Sequence, residues 1–184
     1  MPLFYRKSAK VDPTRHWVGD IRFHLEVDLS THSLNGVRIG GLFEGLERLG
    51  PAEDRTAAEE GILLYYSRGM EIGLEEGRMS SLRLVWVKDE GFHPFGGTVK
   101  WQGTVLSLGP MTTEEQLLSL FGEPYWRDED EQEILLFYEF GKVEWQIELT
   151  PSGTLTQWTL CAPPLMADAT QREAYGVTKP WSFS

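Results

Sequence analysis

Few residues in this sequence have the type and spacing to do chemistry. Its histidines, His16, His24, His32 and His93, are scattered, and Cys161 is its one cysteine. A cysteine nucleophile needs a base to form its thiolate, and no histidine follows His93. A lone cysteine at a strand end reads instead as a small buried hydrophobe. It also leaves no internal disulfide and no four-thiolate zinc site. His24 should point outward from its strand and His32 sits near a turn, so the two could approach one another. Two histidines without a patterned carboxylate make a poor metal set. There is no G-x-S-x-G, P-loop or H-E-x-x-H, and Gly40-Gly41 lacks the spacing and βαβ setting of a dinucleotide loop. We therefore assign no catalytic residue, no metal ligand and no cofactor.

Carboxylates are the abundant reactive group, and their number weakens any one pair as an acid–base couple. The run Asp128-Glu129-Asp130-Glu131-Gln132-Glu133 lacks the glycine at loop position six that an EF-hand needs. It reads either as a solvated loop before a strand or as a partner-binding knob. The whole chain carries 17 Lys+Arg against 28 Asp+Glu, a formal charge of −11 over 184 residues. Residues 114–133 hold eight carboxylates against Arg127 alone, a local −7. Such a balance argues against nucleic acid, whose phosphates need a basic surface. It favours a protein with a basic surface, which an acidic field captures faster. Tyr125 and Trp126 flank the run, and aromatic side chains beside charge are common interface anchors.

These residues must be positioned by a folded frame. At 41% hydrophobic and 12% aromatic, with seven Trp, the chain is too apolar to be disordered and long enough for a sizeable core. Compared with itself, the sequence shows one plan twice, over 42–84 and 114–160. Phe43, Leu46 and Leu49 lead to Gly50-Pro51, as Leu117, Leu118 and Phe121 lead to Gly122-Glu123-Pro124. A polar, acidic stretch follows in each copy. Ile62–Tyr66 then matches Ile134–Tyr138, Gly69 matches Gly141, and Met70–Glu75 matches Val143–Glu148. Met79, Leu82 and Leu84 correspond to Leu155, Trp158 and Leu160.

Each copy reads as a short helix followed by a three-stranded antiparallel meander. Thr112 or Thr113 suits an N-cap with Glu115 or Gln116 closing a capping box, and Gly50 and Gly122 suit helix ends. Alternation in Val143–Leu149 and Met70–Glu75 buries one face of each second strand and turns Glu71, Glu75, Glu144 and Glu148 outward. Continuously apolar 62–66 and 134–138 predict strands covered on both faces. Ile21, Phe23, Leu25, Val27 and Leu29 predict a half-buried strand ahead of the first copy. Asn35-Gly36 and Gln102-Gly103 predict hairpin turns.

The expected fold is α+β, two tandem repeats, each a short helix packed on an antiparallel β-meander. The expected organisation is an N-terminal segment 1–20, a first repeat with its preceding strand over 21–92, a breaker-rich linker 93–97, a second repeat over 98–161 and a surface tail 162–184 pinned by Tyr175 and Trp181. On these Gly-Pro and Gly-x-Pro steps ahead of meanders, residues 34–160 resemble the duplicated fold of the β-lactamase inhibitor proteins and, at the level of one repeat, the BamE/SmpA modules. The resemblance implies a protein-binding module using its sheet and loops. Two features depart from it: those inhibitors are secreted and disulfide-bonded, and no lipoprotein cysteine lies near this N-terminus.

No apolar run reaches the length of a secretory signal or of a membrane span, so a cytoplasmic protein without membrane contact is expected. The leading expectation is a non-enzymatic binding module, most concretely a bacterial inhibitor or toxin-immunity protein. It would occlude a basic partner through Tyr125, Trp126, Asp128, Glu129, Asp130, Glu131, Glu133 and the outward Glu71, Glu75, Glu144 and Glu148. A hydrolase-like enzyme with a carboxylate site between repeats and a self-assembling structural adaptor are the alternatives. Charge and patterning set no oligomeric state.

Overall fold

A computed structural model describes residues 11–87 and 91–181. Strands β1 (Glu26–Asp28), β2 (Ser33–Leu34) and β3 (Val37–Arg38) precede a 3₁₀ segment at Phe43–Leu49 and helix α1 (Arg55–Glu59). A first meander follows: β4 (Ile62–Tyr65), β5 (Met70–Glu75) and β6 (Arg78–Val85). Next come β7 (Thr98–Trp101), β8 (Thr104–Leu106), α2 (Glu114–Phe121) and β9 (Trp126–Glu129). A second meander, β10 (Ile134–Phe140), β11 (Val143–Leu149) and β12 (Leu155–Cys161), leads to a 3₁₀ turn at Leu165–Ala167 and α3 (Ala169–Ala174). This is an α+β architecture with two sheets. The smaller runs β3-β2-β1-β7-β8, and the larger β4-β5-β6-β12-β11-β10-β9.

The two meanders meet through their third strands. β6 and β12 pair antiparallel with Leu82 opposite Leu160, Leu84 opposite Trp158 and Arg83 opposite Thr159. If Leu82 corresponds to Trp158 and Leu84 to Leu160, as the sequence comparison predicts, the register is symmetric about Arg83 and Thr159. The remaining correspondences shift. Tyr65 pairs with Met70 as Tyr138 pairs with Trp145, and Ile72 with Leu82 as Ile147 with Trp158. The first strands therefore align one residue away from the sequence match, and the second strands two. The reason is the β10–β11 hairpin, which is two residues longer and adds the cross-strand pair Glu139 and Glu144. The register irregularity also recurs, at Gly73/Leu74 and at Glu148/Leu149.

One face of the large sheet makes the core. Trp145 and Trp158 are fully buried there with rings 5.2 Å apart, and Phe121 of α2 meets each edge-on at 5.4 Å. Trp101 of β7 meets Trp145 at 5.3 Å, so the small sheet and α2 dock on the same indole. Such aromatic pairs add about 0.5–1.5 kcal/mol each beyond area burial. α2 carries the expected capping box, with Thr113 and Gln116 as its reciprocal partners. Asn35-Gly36 and Gln102-Gly103 take positive φ, as their hairpins require.

Several expectations are corrected. The strand predicted over Ile21–Leu29 pairs only at Glu26–Asp28, and Ile21 is 95% exposed. Asp20 stops it: its backbone carbonyl accepts the Phe23 N–H, and its carboxylate accepts the Arg22 N–H and binds Arg48 at 2.7 Å. Residues 93–97 are a connection without regular structure, as expected of them, and it is packed: Phe95 is buried and its N–H donates to Val85 O at 2.6 Å. The acidic run is an edge strand and turn, since β9 pairs with β10. β4 is not covered on both faces: Ile62 is 40% exposed. β10 is covered, because the C-terminal segment crosses it and Tyr175 meets Phe137 at 5.3 Å.

Two contacts recur at the helix ends. The hydroxyl of Tyr65 donates to Gly50 O at 3.0 Å, and that of Tyr138 to Gly122 O at 2.8 Å. Replacing either tyrosine by phenylalanine strands a carbonyl, for an expected loss of about 1–2 kcal/mol in a urea unfolding curve. The hairpin glycines should differ more. Gly69 and Gly141 both take positive φ, but only at Gly69 would a Cβ meet backbone, 2.3 Å from His93 O. Gly141→Ala should cost about 1–2 kcal/mol and Gly69→Ala at least about twice that in the same measurement.

Candidate functional site

The predicted partner-binding residues separate into three environments. The first is the outer edge of the large sheet. Among the described residues, the outward backbone groups of β9 have no partner. The other edge differs, since Glu53 N–H donates to Leu64 O on β4. Around β9 the side chains are charged, which discourages indiscriminate edge pairing. Arg127 spends its charge locally, bound to Glu114 at 2.6 Å and to Glu129 at 2.5 Å, and these bonds push its pKa up. Asp130 accepts the N–H groups of Gln132 at 2.7 Å and Glu133 at 3.0 Å, and these bonds lower its pKa. Glu123, Asp130 and Glu131 are exposed, and Asp128 and Glu133 are half-buried.

Of the two aromatic anchors, Tyr125 is already engaged within the chain. The hydroxyl of Tyr125 donates to Lys179 O at 3.1 Å, Lys179 Nζ donates to Tyr125 O at 2.9 Å, and Trp181 meets the ring edge-on. Trp126 is half-buried.

The second environment is the face of the large sheet opposite the core. It is a hydrogen-bonded ladder in which Arg83 offsets one of two carboxylates. Glu71 binds Arg83 at 2.7 Å, Arg83 reaches Gln157 Oε1 at 3.4 Å, and the Gln157 amide donates to Glu148. Burial raises the Glu148 pKa against the opposing effect of Gln157. Glu75, at the β5–β6 turn, is exposed.

The third environment contradicts the expectation that Glu144 faces solvent. Glu144 is 0% exposed, because residues 162–181 cross the sheet from β12 over β11 and β10 to Tyr125. Its Oε2 accepts the Met166 N–H at 2.8 Å and its Oε1 accepts the Gln146 amide at 2.6 Å. Directly across the strand pair lies Glu139, 9% exposed, with both oxygens buried and reached by no donor among the described residues. Burial, then the neighbouring Glu144, pushes the Glu139 pKa far above the carboxylate range. Cys161 stands opposite Glu144 on β12, and burial followed by these two carboxylates pushes its thiol up to about 12.

Sequence reasoning passed over Glu139, although it left a signal: an acid set between Tyr138 and Phe140 in an otherwise apolar run. Its neighbour in the fold was hidden, because the strap that buries the pair comes from the tail.

Elsewhere, a cleft of about 390 Å³ is lined by Phe23, His24, Ser67 and Arg68 among others. Its polar groups are committed to other partners. His24 Nε2 bonds Thr98 Oγ1 at 2.7 Å, and the Ser67 hydroxyl donates to Glu53 at 2.5 Å. His32 packs against Phe140 and Trp145. Among the described residues no three of His, Cys, Asp and Glu converge to hold a metal ion. Nor, among them, is any helix long and apolar enough to cross a membrane.

No family model matches the chain, and no curated protein matches it. Among solved structures it is similar to a DUF4309 family protein (YjgB) from Bacillus subtilis, at 16% identity and a TM-score of 0.48, over 70% of this chain and 84% of that one.

The environment of Cys161 makes a direct prediction. A thiol held near 12 has a thiolate fraction at pH 8 several orders below an ordinary cysteine. Reaction of the native chain with Ellman's reagent should be at least roughly a hundredfold slower than that of the urea-unfolded chain. Equal rates would place Cys161 in solvent.

Proposed function

We propose that this chain is a non-enzymatic protein-binding module whose acidic β9 edge captures a partner with a basic surface. The observation that carries this reading is the coincidence, among the described residues, of an unpaired strand edge with carboxylates that no cation balances. Glu123, Asp128, Asp130 and Glu131 surround β9 without a salt bridge among the described residues, whereas Arg127 is consumed by Glu114 and Glu129. An open edge offers backbone hydrogen bonds to an extended segment, and the surrounding charge selects which segment approaches. The most concrete form of the reading is an inhibitor or immunity protein that occludes the basic active site of a partner such as a toxin. Electrostatic steering would speed capture, and occlusion would supply the inhibition. The ladder, where Arg83 binds Glu71, and the sealed Glu144 contribute little to such a surface.

An extended peptide of alternating Lys and Val tests the mode. It should bind the native chain, weaken about tenfold between low and high salt, and lose binding when Asp128→Lys and Glu131→Lys are combined. A Glu-Val peptide of the same length should not bind. Equal binding of the Lys-Val peptide to the native and charge-reversed chains would overturn the assignment of the edge.

A further inference from the structure

The Glu139–Glu144 pair has a geometry that no surface-binding role requires. The two carboxyls are direct cross-strand partners on the face away from the core. Glu144 is fully buried and satisfied by the Gln146 amide and the Met166 N–H, but Glu139 is sealed in with no donor among the described residues. Other titratable or charged groups stand nearby on every element that packs here. Cys161 lies on β12, Lys142 in the β10–β11 turn, Glu148 further along β11, and Tyr125 ahead of β9. The strap brings Asp168, Arg172, Tyr175 and Lys179.

None of these supplies the missing countercharge. Arg172 donates to the carbonyls of Met166 and Ala167, at 2.6 and 3.0 Å. Lys142 is exposed, and Lys179 is bound to Tyr125 O. Asp168 caps α3, and Tyr175 meets Phe137 edge-on. Two facing carboxylates in such a space cannot both be ionised, so a single proton between them is the occupant that the chemistry allows.

We propose that Glu139 and Glu144 share one proton that latches the C-terminal strap, residues 162–181, onto the large sheet. The proton gives Glu139 a hydrogen to donate toward Glu144 and removes the second negative charge. Glu144 then remains the acceptor for Met166 N–H, the bond by which β11 holds the strap. With the strap lifted, water reaches both groups and the burial that raises the Glu139 pKa is gone.

The sign follows from linkage. The docked state binds the proton more tightly than the lifted state, so docking is complete below the ordinary carboxyl pKa. It weakens as pH rises from there to the raised pKa of the docked pair and then levels off. Acid tightens the strap and alkali loosens it.

Amide hydrogen exchange of the full chain, corrected for the intrinsic pH dependence of exchange, reads the latch at Met166. Protection there should fall by about tenfold per pH unit within that window, while core strands such as β12 keep theirs. In Glu139→Gln, where an amide permanently replaces the protonated acid, protection at Met166 should be independent of pH. A carboxyl ¹³C titration of the native chain, which needs no variant, should show one glutamate ionising far above the ordinary range. Three results would overturn the proposal: a flat native profile, a Glu139→Gln profile that follows the native one, or two carboxyls titrating normally. Restoration of protection at high pH by added calcium or zinc would replace the proton with a metal cation and also overturn it.

Discussion

The architecture depends on one backbone interaction, the antiparallel pairing of β6 with β12. Each meander alone is a three-stranded sheet with one apolar face, too small to bury Trp145 or Trp158. Joined at their third strands with Arg83 opposite Thr159, they form a single surface of seven strands. That surface is broad enough for the small sheet and α2 to dock side by side on Trp145. A one-residue slip in this register would turn Leu82, Leu84, Trp158 and Leu160 to the opposite face. The same register brings Arg83 from one meander to Gln157 of the other, so the polar face is stitched across the same seam.

Much of this frame was legible in the sequence, and the legible parts share a cause. Period-two alternation in 143–149 and 70–75, the capping box at Thr113, and the Asn35-Gly36 and Gln102-Gly103 turns are local signals whose physics is settled within a few residues. The errors came where distant parts of the chain decided the outcome. The alternation over Ile21–Leu29 was sound as a pattern, but Asp20 and Arg48 turned its first half away from the sheet. The matching of Tyr66 to Tyr138 followed residue likeness, whereas the hydrogen bonds to Gly50 and Gly122 make Tyr65 and Tyr138 the equivalent pair.

The charge that dominates the composition is not one field. Part of it is cancelled in place by Arg83, Arg127 and Lys100, the last bound to Glu26. Part is removed from water beneath the strap, where Glu139 and Glu144 lie. Exposed carboxylates remain around the open edge of β9, at Glu123, Asp130 and Glu131, and others stand elsewhere, among them Glu44, Glu47, Glu75 and Glu76. Outward alternation in the sequence places Glu144 and Glu148 correctly on the face opposite the core. It gives no hint that a tail with three prolines would cover one of them and leave the other half-exposed. The candidate site was thus readable as charge density and unreadable as accessibility, because accessibility is set by a segment remote in sequence.

The division of the carboxylates into free and sealed groups is the centre of this account. Carbodiimide labelling of the native chain, read residue by residue by mass spectrometry, measures it directly. At acidic pH, Glu123, Asp130 and Glu131 should modify rapidly, Glu71 and Glu148 slowly, and Glu139 and Glu144 not at all while the strap is docked. Labelling of Glu144 at the rate of Glu131 would show that the strap does not cover the sheet, and the account would fail.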